Sequence, residues 1–356
     1  MTKSIICIKV PKRQGEKAIA LARKLGFLDK SLQIRRDAEN LYIPSIRQPN
    51  ANDIASLMSQ ALDYQLETKG FCEKQPPIET LMHALENRLP PHLLKNVPQA
   101  IDIIGDIAIF EIPPELKPYE NAIGGAILQT HRNIRTALAK AGAISGIYRV
   151  REFTFIAGEQ KTQTVHREFG CRFHVDVAKA YFSPRLSQEH QRVASLVQSG
   201  ETVVDLFAGV GPFSVLIGKN KPELKVYAVD INPDAVELLK INVRVNRVEN
   251  RVFPILGNAR QITGDRLKGL ADRVIMNLPE TAIEFVDSAC HAIKPQGGVI
   301  HFYAFVRSPD STENLKFRFS QAVESAGRKV ETFLYAKSIR ETAPFQSQIV
   351  LDAKVV

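Results

Sequence analysis

Short apolar runs punctuate the second half of the chain, at residues 202–207, 225–230, 252–256, 273–277 and 299–303, each bounded by turn residues. Their length and β-branched content predict buried strands. Between them, apolar positions recur at helical spacing from Pro233 onward and over residues 283–293 and 312–326. Strands alternating with helices predict an α/β domain, a largely parallel sheet covered by helices on both faces. Two further strands, residues 329–335 and 348–355, are expected to complete it.

The first half reads differently. Residues 5–10 and 40–44 predict strands, and residues 15–25 and those from Asn52 predict helices, giving a small α/β module over residues 1–66. Residues 67–77, with Gly70, Pro76 and Pro77 and no periodicity, are expected to be a flexible linker. From residue 78 follow a helix, a break at Pro90 and Pro91, and a hairpin signal at 100–104 and 107–112 around Gly105-Asp106. A long helix over 119–141 and strands over 147–151, 154–157 and 162–168 complete an expected α+β middle domain, residues 78–170. A strand at 173–182 and a helix through Val197 open the last domain, residues 171–356.

Composition narrows the function classes. No segment reaches the roughly 18 apolar residues that span a bilayer, and the run at 5–8 is too short for a secretory core, so a cytoplasmic protein is expected. Cys7, Cys72, Cys171 and Cys290 lack paired spacing, which argues against a disulfide framework or a zinc site. A net charge of +9 points to a polyanionic partner, RNA or DNA ahead of an acidic membrane. Lys12, Arg13, Lys17, Arg23, Lys24, Arg35 and Arg36 crowd the first module, which suits phosphate contact.

The candidate chemistry is centred on residues 203–214, Val-Val-Asp-Leu-Phe-Ala-Gly-Val-Gly-Pro-Phe-Ser. A strand runs into a turn that Gly209 and Gly211 permit, and Pro212 opens the next helix. Such a turn borders the ligand crevice of a doubly wound sheet. Asp230, ending the second strand, can accept hydrogen bonds from ribose hydroxyls. Ser214 stands where a dinucleotide fingerprint has its third glycine, and Asp205 would repel a pyrophosphate but suits the cationic amino group of a methionine moiety. S-adenosylmethionine is the expected cofactor. Asn277-Leu278-Pro279-Glu280, after the fourth strand, is similar to the Asn-Pro-Pro-aromatic motif of methyltransferases that act on planar nitrogen, where amide and backbone carbonyl groups hold a base edge.

On these motifs the chain resembles the archaeal and eukaryotic tRNA (guanine-37-N1)-methyltransferases. The resemblance also rests on Tyr148-Arg149-Val150-Arg151-Glu152, Ala157-Gly158-Glu159, Val165-His166-Arg167-Glu168, Val175-Asp176-Val177-Ala178-Lys179, Tyr181-Phe182-Ser183-Pro184-Arg185-Leu186, Asp230-Ile231-Asn232-Pro233 and Gly297-Gly298-Val299-Ile300-His301. It implies a class I (Rossmann-like) methyltransferase domain with a mixed seven-stranded sheet, preceded by the α+β middle domain and the small N-terminal α/β domain, which would recognise tRNA. It further implies S-adenosylmethionine as cofactor, tRNA with guanosine at position 37 as partner, no membrane association and a monomer.

Guanine N1 carries a proton at neutral pH, so its methylation requires a base for that proton and a cation for the charge developing on O6. The resemblance assigns the base to Glu189, the O6 contact to Arg149 and the positioning of guanine to Asn277 and Pro279. It places Phe207, Ile231, Asn258 and Asn277 with Asp205, Gly209, Gly211 and Asp230 around the cofactor, and Tyr181 and Arg185 near the substrate phosphate or the cofactor. Three positions depart from the family pattern: Asn258 where Asp usually accepts from adenine N6, Glu280 where Lys is frequent, and His190 where Arg is common. Two other readings carry weight. Relatives methylate a wyosine precursor at the same tRNA position or transfer the aminocarboxypropyl group to it, against which stands Glu189 after Ser-Pro-Arg-Leu. A non-catalytic RNA-binding module is opposed by the intact Asp205, Gly209, Gly211, Asp230 and Asn277.

Overall fold

The computed structural model describes residues 2–73, 80–142 and 146–356, and the chain divides into two units, Met1–Ile78 and Glu79–Val356. In the first, β1 (Thr2–Pro11), α1 (Gly15–Lys24), β2 (Arg35–Arg36), β3 (Asn40–Pro44), α2 (Ala51–Ser59) and β4 (Gln65–Cys72) build a four-stranded sheet ordered β2-β3-β1-β4. Ile8, Val10 and Ile43 bury one face against Ala18, Ala22 and Leu57 of the helices. Asn50 and Asp53 cap α2 reciprocally. The expected linker begins too early, because residues 67–72 pair antiparallel with β1, from Cys7↔Glu67 to Thr2↔Cys72. As an edge strand β4 fully buries only Phe71, so its polar residues imitate a linker. Residues 74–77 of that expectation lie outside the described residues.

The second unit opens with α3 (Leu81–Leu85), α4 (Pro91–Leu94), β5 (Asp102–Ile104), β6 (Ile107–Phe110), α5 (Glu120–Thr130), β7 (Thr136–Lys140) and β8 (Phe153–Gly158), with the sheet order β5-β6-β7-β8. The hairpin at Gly105-Asp106 is present. The expected long helix is not: it stops at Thr130, and residues 136–140 form a strand parallel to β6 and antiparallel to β8. Ala137, Leu138 and Ala139 are good helix formers, but a buried place between two strands overrides that weak preference. Residues 147–149, expected as strand, form a turn in which Arg149 is left-handed, with φ 55°.

A ribbon of β9 (Gln163–Glu168) and β10 (Cys171–Asp176) straddles the domain boundary expected at 170/171, which falls inside this unit. Then come α6 (Ser187–Leu196), β11 (Thr202–Asp205), α7 (Pro212–Asn220), β12 (Lys225–Asp230), α8 (Pro233–Val245), β13 (Val252–Leu256), α9 (Ala259–Asp265), β14 (Arg273–Met276), α10 (Val286–Ala292), β15 (Gly298–Arg307), α11 (Thr312–Ser325), β16 (Val330–Ala343) and β17 (Gln346–Val355). Their seven strands form one mixed sheet, β13-β12-β11-β14-β15-β17-β16, parallel except that β17 runs against β15 and β16. Strand order reverses between β11 and β14, the switch point at which a crevice opens. Sequence reading did not anticipate α9 and ended β16 at 335 rather than Ala343. No described helix is long and apolar enough to cross a membrane.

Strand β10 is held to this sheet domain by two side-chain amides. Asn242, fully buried on α8, accepts from His174 N at 2.7 Å and donates to His174 O at 3.1 Å and Val210 O at 2.9 Å. One turn on, Asn246 accepts from Arg172 N at 2.9 Å and donates to Arg172 O at 2.7 Å. Asn242→Ala strands the buried Val210 carbonyl and the half-buried N–H and carbonyl of His174, so a loss of about 2–4 kcal/mol is expected, read as a lowered urea midpoint; the exposed Asn250→Ala should stay within about 0.5 kcal/mol.

Candidate active site

A cleft of about 560 Å³ opens where the chain leaves the carboxyl ends of β11, β12, β13 and β14. The turn after β11 still bonds to both neighbouring strands, Leu206 N to Ile275 O at 3.0 Å and Ala208 N to Val229 O at 2.9 Å. Gly209 (φ 55°) and Gly211 (φ 87°) then take left-handed conformations. A Cβ on Gly211 would come within 2.2 Å of Leu239 Cδ1, so the turn lies directly on α8. The Asp230 carboxylate accepts from Gly209 N at 2.6 Å and Asn232 N at 2.8 Å, tying the glycine turn to the start of α8. Burial pushes the Asp230 pKa up, against the backbone N–H groups that hold it down.

Phe207, Gly209, Asp230, Ile231 and Asn258 line this side of the cleft. Phe207 meets Phe285 edge-on at 5.1 Å, forming an apolar wall. Asn258 caps α9, its Oδ1 accepting from Arg260 N at 2.9 Å; a second lone pair on that oxygen remains for a ligand. Asp205 and Gly211 do not line the cleft. The Asp205 carboxylate, 1% exposed, lies behind it and accepts from Ser214 Oγ at 2.7 Å, while Oδ1 has no partner among the described residues. Burial, with the Asp230 charge adding to it and the Ser214 hydrogen bond opposing, pushes the Asp205 pKa up to about 7.

Arg149, Tyr181, His190, Asn277 and Pro279 also line the cleft. Asn277 Oδ1 is buried with no hydrogen-bond partner among the described residues. The Pro279 carbonyl accepts from Phe305 N at 3.0 Å, which fixes the turn after β14. Arg149 reaches across to Glu280, its two terminal nitrogens 2.5 and 2.9 Å from the two carboxylate oxygens. That ion pair lowers the Glu280 pKa. His190, one residue after the expected base, directs Nδ1 to Glu168 Oε2 at 2.8 Å and packs on Phe213.

Besides Asp205 and Gly211, two expected residues are placed elsewhere. Glu189 does not line the cleft; it is 7% exposed, and its oxygens accept from Arg192 Nε and Nη2 at 3.0 Å and from Tyr303 Oη at 3.1 Å. Arg185 is also absent from the lining, with Nε donating to Asp102 Oδ1 at 2.5 Å. Conversely, Arg340 on β16 and Gln348 on β17 line the cleft and were not anticipated. No local motif marks them, because only the antiparallel register of the last hairpin brings them to the site.

Residues 164–331 match the TRM5/TYW2 methyltransferase domain, residues 81–162 the TYW2 N-terminal domain and residues 7–53 the tRNA methyltransferase 5 N-terminal domain. The chain is 41% identical to tRNA (guanine(37)-N(1))-methyltransferase Trm5b of Pyrococcus abyssi, over 98% of this chain and 99% of that one. Its fold is similar to that in the complex structure of aTrm5 and tRNALeu, with a TM-score of 0.71, 31% identity and coverage of 98% and 99%. It is similar as well to Methanocaldococcus jannaschii Trm5 in complex with adenosine, with a TM-score of 0.64, 30% identity and coverage of 98% and 99%. Agreement over the full length, on a sheet whose switch point carries the glycine turn and Asp230, has one meaning: the chain belongs to the Trm5 family of tRNA (guanine-37-N1)-methyltransferases.

Proposed function

We propose that this protein methylates N1 of guanosine 37 in tRNA with S-adenosylmethionine as methyl donor. The observation that carries the reading is that a buried, unpartnered Asn277 acceptor stands in the same cleft as the Arg149 guanidinium. An acceptor and a cation complement the amino and O6 edge of guanine.

The residues also fit the cofactor. Asp230 and Asn258 offer acceptors for ribose and adenine, Phe207 and Phe285 give an apolar wall, and the orphan Asp205 Oδ1 is a buried acceptor behind the turn that suits a cationic amino group. When bound, S-adenosylmethionine supplies an electrophilic methyl group. Arg149 would exchange Glu280 for guanine O6 and stabilise the charge that grows there. Glu189 would take the N1 proton after giving up its hydrogen bonds from Arg192 and Tyr303; Arg192 then keeps Asp352, whose oxygens lie 2.6 and 3.2 Å away. Lys12, Arg13, Lys17, Arg23, Lys24, Arg35 and Arg36 of the N-terminal module are all exposed and would hold tRNA through its phosphates.

Incubation with unmodified tRNA and methyl-labelled cofactor, followed by nucleoside mass spectrometry, should give 1-methylguanosine at position 37; label elsewhere, or none, overturns the reading. Glu189→Gln is expected to lower kcat by roughly 10²–10⁴-fold with cofactor affinity unchanged. Unchanged kcat would move the proton acceptor to Glu280, the carboxylate that faces the cleft with Arg149. A third expectation follows from Asp205. With its folded pKa near 7 and an unfolded value of about 3.9, the folded chain binds the extra proton between those values. Stability of the cofactor-free protein therefore falls as pH rises from about 4 to about 7. Asp205→Asn should flatten that slope in urea titrations across the window; parallel slopes for both proteins would count against it.

A further inference from the structure

Carboxylates claim most of the cations around the cleft. Arg149 is held by Glu280, Arg185 by Asp102, Lys179 by Asp234, Arg260 by Asp287, and Arg192 by Glu189 and Asp352. Arg340 differs. Its Nε donates to Gln348 Oε1 at 2.9 Å, Nη1 to Ser183 Oγ at 2.9 Å and Nη2 to Tyr181 Oη at 3.5 Å, all neutral acceptors. Among the described residues no carboxylate lies within ion-pair distance of it. Three of the five N–H groups of the guanidinium are used, which leaves two.

Gln348 sharpens the picture. It is the cross-strand partner of Arg340 and fully buried, and because an arginine only donates, the amide oxygen must face Arg340. The amide nitrogen is thereby turned the other way, and it has no partner among the described residues. A cation with spare N–H groups beside an orphaned N–H donor, both lining one cleft, lacks only an oxyanion.

We infer that Arg340, with Gln348 beside it, binds a phosphodiester group of the RNA next to the nucleotide being methylated, the role sequence reading gave to Arg185. The inference rests on the tRNA-methyltransferase reading above. The other oxyanion available is the cofactor's own carboxylate, and strand order decides between them. Asp230 and Asn258 follow β12 and β13 at one end of the sheet, Asn277 follows β14, and Arg340 and Gln348 stand on β16 and β17 beyond it, on the substrate side of Asn277. Tyr181 and Ser183 hold the guanidinium there before RNA arrives, so little side-chain freedom is lost on binding.

The test uses the full-length protein, its Arg340→Ala and Arg340→Lys variants, and tRNA carrying one neutral methylphosphonate at each phosphate flanking nucleotide 37 in turn. Arg340→Ala should raise the KM for tRNA by about 10- to 100-fold, as expected for loss of a charge-assisted contact. The slope of log affinity against log salt should become shallower by about one. S-adenosylmethionine affinity, by calorimetry, should not change, and lysine should restore part of the loss. One methylphosphonate should weaken binding to the wild type but not, further, to Arg340→Ala. Unchanged KM and salt slope, or penalties that simply add, overturn the assignment, and a fall in cofactor affinity gives Arg340 to the cofactor carboxylate. A wild-type protein that leaves guanosine 37 unmethylated fails the underlying reading instead.

Discussion

Burial of one guanidinium shapes the whole substrate side of this cleft. The Arg192 side chain is only 20% exposed, and removing it from water is costly unless anions and donors around it are satisfied. Here Glu189 and Asp352 both hydrogen-bond it, and the ring of Tyr335 lies 4.4 Å away. Asp352 is further held by His301 Nδ1 at 2.8 Å; burial opposes its ionisation, yet His301 and Arg192 bring its pKa down to about 2. Burial works against the charged form of Arg192 too, but Asp352 and Glu189 outweigh it and raise its pKa. The cluster fastens α6 to β15, β16 and β17. The segment ahead of α6, with Tyr181 and Leu186 in the cleft wall, is positioned by the same attachment.

The arrangement has a chemical counterpart. A carboxylate that neutralises a buried arginine is not free to accept a proton from guanine, and under the proposed function Glu189 would occupy that double position. Its release is tolerable because Asp352 would still face Arg192, so the ion cluster has one anion to spare. Arg149 shows the same logic, since Glu280 holds its guanidinium at the cleft. Both groups proposed for guanine chemistry thus stand in ion pairs that substrate would have to reorganise.

Much of the fold was legible because it rests on local signals. The strands from β11 to β15 are short apolar runs, and Gly209, Gly211 and Pro212 mark the turn by backbone geometry alone. The place of Asp230 in the cleft was legible because it ends a strand. Long-range placement defeated the reading elsewhere. Strand β7 is built of helix formers whose strand neighbours lie in β6 and β8, and β4 looks like a linker because an edge strand keeps polar residues. At the site, residue type indicated which arginines could act, but not which had been claimed by carboxylates. Arg185 pairs with Asp102, far away in sequence, while Arg340 owes its place to a cross-strand partner, Gln348.

The asparagines that tie β10 to α8 have a consequence for how the cleft keeps its shape. Two residues one helical turn apart are separated by about 6 Å along the axis, and two alternate residues of a strand by about 6.6–6.8 Å. Asn242 and Asn246 can therefore meet His174 and Arg172 in one alignment only, and a slip by a single residue would turn Phe173 and Val175 out of the core. Helix α8 thus acts as a gauge for the ribbon, fixing how far along its own axis β10 ends and where the following Tyr181 begins. The amides also occupy the outer edge of β10, which would otherwise offer a free row of backbone groups to a strand from another molecule. A pair of uncharged side chains sets the register of the active-site wall and shields the ribbon from intermolecular pairing.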